Sequence, residues 1–303
     1  TVFSSVDYAL GGDEDNLVLV DSHSSVVPDS RVGIGNGLDN VMLGNTADNV
    51  LEGGAGHDVL HGGFARSVEG VFFVDTGSDI LIGGEGNDTL IPFGDSAFAF
   101  DFGVGTDPNP FNTADDVLIG GPGNDTYYIR HAGQTLVELP EEGADAVHST
   151  VSYSLPDNIE SLVLAPTWRE DVGFISLTGT GNELDNVLVG GAGADLLSGG
   201  AGHDTLYGGR DTTFDDGTLI GLPSSDTLVG GAGNDTYLFN LGDGIDTVED
   251  VAAVGEGNRI QFGTGITTND LTFTRDDVAG TLTIEVGASG TDQLVLTNFD
   301  PTG

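Results

Sequence analysis

Within residues 35–128 and 181–238 a large apolar residue recurs in a nine-residue frame, and two places before it stands Asp or Asn. Units of this frame start at Gly35, Gly44, Gly53, Val74, Gly83, Phe111 and Gly120, then at Gly181, Gly190, Gly199, Gly221 and Gly230. The apolar place, position 8, holds Met42, Leu51, Leu60, Leu81, Leu90, Leu118 and Tyr127, then Leu188, Leu197, Leu206, Leu228 and Tyr237. Position 6 holds Asn40, Asn49, Asp58, Asp79, Asp88, Asp116 and Asp125, then Asn186, Asp195, Asp204, Asp226 and Asp235. Each unit reads as a glycine-rich turn followed by a short strand. One strand of that length buries nothing alone, so units of fixed period must stack and share a core. Sustained 3.6-residue periodicity is missing, which predicts little helix.

The frame is interrupted at 62–73, 92–110 and 208–220, and the first and third interruptions occupy corresponding places. "SSVDYALGGDEDNLVLV" (4–20) and "STVSYSLPDNIESLVLA" (149–165) are versions of one sentence, each leading into "GxGNxLDNVxxG". The chain therefore reads as an approximate tandem duplication. Its Thr1 aligns near Ala146, in mid-unit, which predicts further chain before residue 1. The expected organisation is a β-coil segment at 1–34, a first repeat block at 35–128, parallel β at 129–180, a second block at 181–238 and a β cap at 239–303.

Charge sharpens this picture. The chain has 49 acids, seven Arg, no Lys and no Cys, for a formal net charge of −42. Without a basic patch, nucleic acid is excluded as a partner and an anionic membrane surface is disfavoured. No apolar run is long enough to span a bilayer. With 38% hydrophobic residues a core is available, and the difficulty that remains is repulsion among carboxylates. Stacked strands lie about 4.8 Å apart. Carboxylates at that spacing repel by roughly 3–4 kcal/mol at an effective dielectric of 20, and a divalent cation between them reverses the sign.

"GGAGHDVLH", "GGEGNDTLI" and "GGAGNDTYL" resemble the glycine-rich nonapeptide "GGxGxDxUx" of RTX (repeats-in-toxin) proteins, a calcium-binding β-helix repeat. The resemblance implies an all-β, right-handed parallel β-roll in which two units make one coil and several calcium ions sit between coils. It implies ligands from the carbonyls of positions 2 and 4 and the Asp of one unit, with the carbonyls of positions 1 and 3 and the Asp two units on. Carried over, one site is Gly54, Gly56 and Asp58 with Gly83, Glu85 and Asp88. A second is Gly84, Gly86 and Asp88 with Gly120, Pro122 and Asp125. A third is Gly191, Gly193 and Asp195 with Gly221, Pro223 and Asp226, and a fourth is Gly200, Gly202 and Asp204 with Gly230, Ala232 and Asp235. A fifth, further from consensus, is Asp75, Gly77 and Asp79 with Phe111, Thr113 and Asp116. Asn40, Asn49 and Asn186 are read as turn-closing rather than calcium-binding, and Asp145 and Asp246 stand where each block would close a last site.

Other chemistry is scarce. There is no H-E-x-x-H, no G-x-S-x-G, and no phosphate loop in a chain without Lys. His57 and His203, at position 5, read as solvent-facing. The acid run "ELPEEGAD" (138–145) reads as a solvated turn, and Tyr127 and Tyr237 as core caps. Phe93, Phe98, Phe100 and Phe102 in the second insertion are expected to cover a side of the roll. Trp168, Arg169 and Tyr153 could form a sugar platform, though no spacing demands it. The resemblance implies a non-catalytic, calcium-folded segment of a secreted protein exported by type I secretion machinery, as a surface stalk or adhesin. Its alternatives are the export module of an extracellular enzyme, or a carbohydrate-binding module whose inserted loops meet a surface or glycan ligand.

Overall fold

The computed structural model describes residues 1–21, 30–63, 66–68, 71–73, 77–92, 115–165, 168–169, 173–209, 211–215, 218–222, 224–250, 256–287 and 290–297. Side chains at 66–68, 71–73, 168–169, 173, 211–215 and 218–222 are excepted. The phenylalanines of the second insertion lie outside the described residues, as do Asp75, Phe111, Thr113 and Pro223 and the side chains of Trp168 and Arg169. Two compact units divide the chain, Thr1–Val147 and His148–Gly303.

In the first unit successive strands alternate between two parallel sheets. One runs Val2–Ser4, Asn16–Leu19, Val41–Leu43, Val59–His61, Thr89–Ile91, Thr126–Ile129. The other runs Tyr8–Ala9, Arg31–Ile34, Asn49–Ala55, Ile80–Glu85, Val117–Ile119, Thr135–Val137. Each strand pairs with the next but one, so two units complete one coil, and the fold is a parallel β-roll. Register follows the repeat: Leu17, Met42, Leu60, Leu90 and Tyr127 are successive partners in one sheet, and Leu51, Leu81, Leu118 and Leu136 in the other. All nine are buried and form one apolar column. Gly33 interrupts the column where a position-8 residue belongs, because a Cβ there would come within 2.9 Å of Leu17.

The second unit repeats the design. Leu162, Leu188, Leu206, Tyr237 and Ile260 align in one sheet, and Gly179, Leu197, Leu228, Val248 and Leu296 in the other. The parallel order ends at Asp292–Leu296, which pairs parallel with Ile245–Val248 on one side and antiparallel with Thr281–Val286 on the other. Leu271–Asp276 extends this antiparallel cap. Among the described residues the one helical turn is the 3-10 segment Thr268–Asp270.

Two interruptions of the frame contain hairpins that the nonapeptide pattern does not reveal. Arg66–Val68 pairs antiparallel with Val71–Phe73, and Asp211–Asp215 with Thr218–Leu222. Gly221 thus lies on the return strand of a hairpin, opposite Thr212.

Candidate metal centre

Turn conformation places the acids. Gly84 and Gly86, positions 2 and 4 of their unit, have φ of 113° and 133°, a region that side chains with a Cβ rarely enter. A Cβ at either would strike the carbonyl of Gly54 or Gly56 in the neighbouring coil. Tight stacking brings the turns together through backbone bonds: Gly84 N–H donates to Gly120 O and Gly86 N–H to Pro122 O, both at 2.8 Å. Each of those carbonyls retains a second lone pair.

The position-6 side chains form ladders. Asn40 N–H donates to Asp58 Oδ1 at 2.7 Å, Asp58 N–H to Asp88 Oδ1 at 2.8 Å, Asp88 N–H to Asp125 Oδ1 at 2.7 Å and Asp125 N–H to Asp145 Oδ1 at 2.7 Å. The sequence separations in this row are 18, 30, 37 and 20 residues, yet the geometry hardly changes. A parallel row runs Asn49, Asp79, Asp116. In the second unit the rows are Leu177, Asp195, Asp226, Asp246 and Asn186, Asp204, Asp235, Asn258. Every aspartate in these rows is at most 2% exposed.

One carboxylate oxygen is therefore committed to the ladder, and the other carries the chemistry. Oδ2 of Asp58, Asp88, Asp125, Asp204 and Asp235 is buried without a hydrogen-bond partner. Such an atom costs about 1–3 kcal/mol, and more when charged. Burial pushes Asp58, Asp116 and Asp204 up to about 6, Asp125 and Asp246 to about 7 and Asp226 to about 8, against the lowering pull of the N–H rungs. Neighbouring carboxylates add to the rise, as Asp88 does for Asp58 and Asp235 for Asp204.

Glycine at position 1 lets an orphaned oxygen and a carbonyl of the next coil converge on one point. A Cβ added to Gly53 would strike Asp58 Oδ2 and lie 2.6 Å from Gly83 O; one on Gly83 would strike Asp88 Oδ2 and lie 2.8 Å from Gly120 O. Gly199 stands likewise to Asp204 Oδ2 and, at 2.6 Å, to Gly230 O. Carboxylate and carbonyl oxygens with no nitrogen or sulfur donor suit a hard cation, and calcium's 6–8 flexible ligands suit them better than magnesium's octahedron. The residues present fit the ion.

The structure thus gathers the first, second and fourth predicted ligand sets. In the third, Asp195 and Asp226 are ladder partners, but Asp195 Oδ2 accepts from Gly191 N–H at 2.8 Å and Asp226 Oδ2 from Ser224 Oγ at 2.9 Å. In the fifth, Asp79 and Asp116 share a rung and Gln134 donates to Asp116 Oδ2 at 3.0 Å. The asparagines close turns as expected: Asn36 N–H reaches Asn40 Oδ1 at 2.9 Å, and Asn182 N–H reaches Asn186 Oδ1 at 2.7 Å. His57 and His203 are exposed, and their Nδ1 atoms accept from Asn87 and Asn234 N–H, each at 2.8 Å. The acid run 138–145 departs from the sequence reading. Its middle is exposed, but Glu138 and Asp145 at its ends are buried, and with Asp125 they bring carboxylate oxygens within 4.8 Å of one another.

The family model of the RTX calcium-binding nonapeptide repeat (four copies) matches residues 34–66, 71–91, 112–128, 180–214 and 211–248. The chain carries RTX calcium-binding repeats. Calcium is accordingly the cation that these repeats imply. Among solved structures, the extracellular lipase LipA from Serratia marcescens is similar at 18% identity and a TM-score of 0.21, over 94% of this chain. The chain spans 40% of that lipase's length. No curated protein matches the sequence. RTX repeats are structural rather than catalytic.

Proposed function

We propose that this chain is a calcium-dependent structural segment of a secreted protein, folded by ions held between its coils. The reading is carried by the buried Oδ2 atoms of Asp58, Asp88, Asp125, Asp204 and Asp235, each without a partner among protein donors. The first, second and fourth ligand sets would hold the best-formed sites, with backbone carbonyls completing them. The third and fifth sets would fill only after Gly191, Ser224 and Gln134 yield their bonds. Calcium, when bound, supplies the charge that the rows lack.

Linkage makes the dependence steep. A ligand that binds only the folded state adds RT ln(1 + [L]/Kd) per site. With the Kd of about 10⁻⁴–10⁻³ M common in extracellular calcium modules, millimolar calcium gives roughly 0.4–1.4 kcal/mol per site. In a compartment with far less free calcium that contribution nearly vanishes and the carboxylate repulsion stays. A chain unfolded before export and folded outside the cell would use this difference, and type I secretion is the route that the RTX resemblance implies for it. Circular dichroism of the chain in EGTA and then in millimolar calcium tests the proposal. A β signal that appears with calcium is expected, and a signal identical in both conditions would overturn it.

A further inference from the structure

The first block ends in three acids that the nonapeptide frame does not jointly supply. Asp125 is position 6 of the last unit, Glu138 follows the strand Thr135–Val137, and Asp145 precedes Ala146–Ser149. Asp145 Oδ1 takes the Asp125 N–H rung, and Asp125 Oδ1 takes that of Asp88. Asp125 Oδ2 remains, on a side chain 1% exposed, with no hydrogen-bond partner. Tyr127, fully buried, donates its phenol to Glu138 Oε1. A Cβ on Gly120 would strike Asp125 Oδ2 and Tyr127 Oη and lie 2.6 Å from Glu138 Oε1. The orphaned oxygen, the phenol and the second carboxylate therefore converge on one point against Gly120, an approach that only a residue without a side chain allows.

The second block ends in a weaker copy of the same arrangement. Asp235 Oδ2 is again buried without a partner, and Tyr237 donates to Asp250 Oδ2 at 2.6 Å. The rung that Asp145 supplies in the first block comes here from Asn258, which takes Asp235 N–H at 2.8 Å and donates its own amide to Asp250. Two carboxylates and an amide thus stand where the first block has three carboxylates.

We propose that Asp125, Glu138 and Asp145 form a separate cation site closing the first block, an all-carboxylate site for a calcium-like hard cation, with Glu138 recruited from outside the repeats. Three carboxylates against the two of the second block make it the tighter of the two block ends, since calcium affinity rises with ligand charge. The inference rests on the calcium reading of the rows, because Asp125 and Asp145 continue one of them, but Glu138 belongs to no predicted set.

Equilibrium dialysis of calcium against the whole chain tests it. Glu138→Gln is expected to bind one ion fewer at free calcium that just saturates the unaltered chain, that ion being weakened at least about tenfold, the scale seen when a metal site loses a supporting group. Asp145→Asn keeps the rung oxygen and copies Asn258, so it covers the case in which Glu138→Gln does not fold; it should weaken the same single ion. Unaltered stoichiometry and affinity in whichever of the two variants folds would overturn the site. An unaltered chain that bound no calcium at all would instead overturn the reading of the repeats.

Discussion

Asp88 shows how much one residue does here. Its Oδ1 holds the N–H of Asp58, its own N–H reaches Asp125, and its orphaned Oδ2 packs against Gly83 beside Gly120 O. Asp88→Asn keeps the rung and removes the charge. It should weaken calcium binding by about tenfold or more, while leaving the calcium-free chain at pH 8 more resistant to urea than the original. Asp88→Ala removes the rung too, and urea denaturation should show a further loss of about 1–3 kcal/mol for the stranded Asp58 N–H. At position 5 the ladder runs the other way, side chain to the next coil's N–H, and it is exposed. His57→Ala should therefore cost no more than about 1 kcal/mol in the same urea titration, because water can take the place of Nδ1 for Asn87.

At the scale of strands, the position-8 residues form a continuous buried column in each unit, so its members have little room to compensate. Leu90, packed between Leu60 and Tyr127 in its sheet, should cost about 2–5 kcal/mol when changed to Ala, read by urea denaturation in saturating calcium. This column was legible in advance, because a strict period puts like residues in register, and so were Asp58, Asp88, Asp125, Asp204 and Asp235. The rungs were not: nothing in the letters separates Oδ1 from Oδ2, and the N–H that each oxygen takes lies 18 to 37 residues away in the first row. Glu138 escaped because it lies beyond the frame, at the start of an acid run whose middle is mostly exposed. Its second-block counterpart Asp250 lies at a different distance from its own block, so no fixed spacing announced either. The hairpins at 66–73 and 211–222 escaped for the related reason that their strands pair with each other and not with the roll.

For the whole molecule, the row carboxylates tie stability to acidity as well as to calcium. In the folded chain without cations, burial raises Asp58, Asp116 and Asp204 to about 6, Asp125 and Asp246 to about 7, and Glu138 and Asp226 to about 8. A raised acid binds its proton better in the folded state, so its stabilising contribution is complete below the unfolded value, about 3.9–4.3, and is lost as pH rises through the folded one. The chain in EGTA should therefore be most stable near pH 4 to 5 and progressively less so up to pH 8, while in millimolar calcium the dependence flattens. Urea midpoints across that range, with and without calcium, check the sign; a calcium-free chain that grew more stable toward pH 8 would contradict it. The near-constant rungs have a use beyond this protein. Asp88 and Asp125 meet as closely as Asn40 and Asp58 although about twice as much chain separates them, so coil-to-coil registration is indifferent to what leaves the stack between coils. Such a scaffold can host grafted passenger segments at the places where its own frame is already broken, each displayed without disturbing the coils on either side.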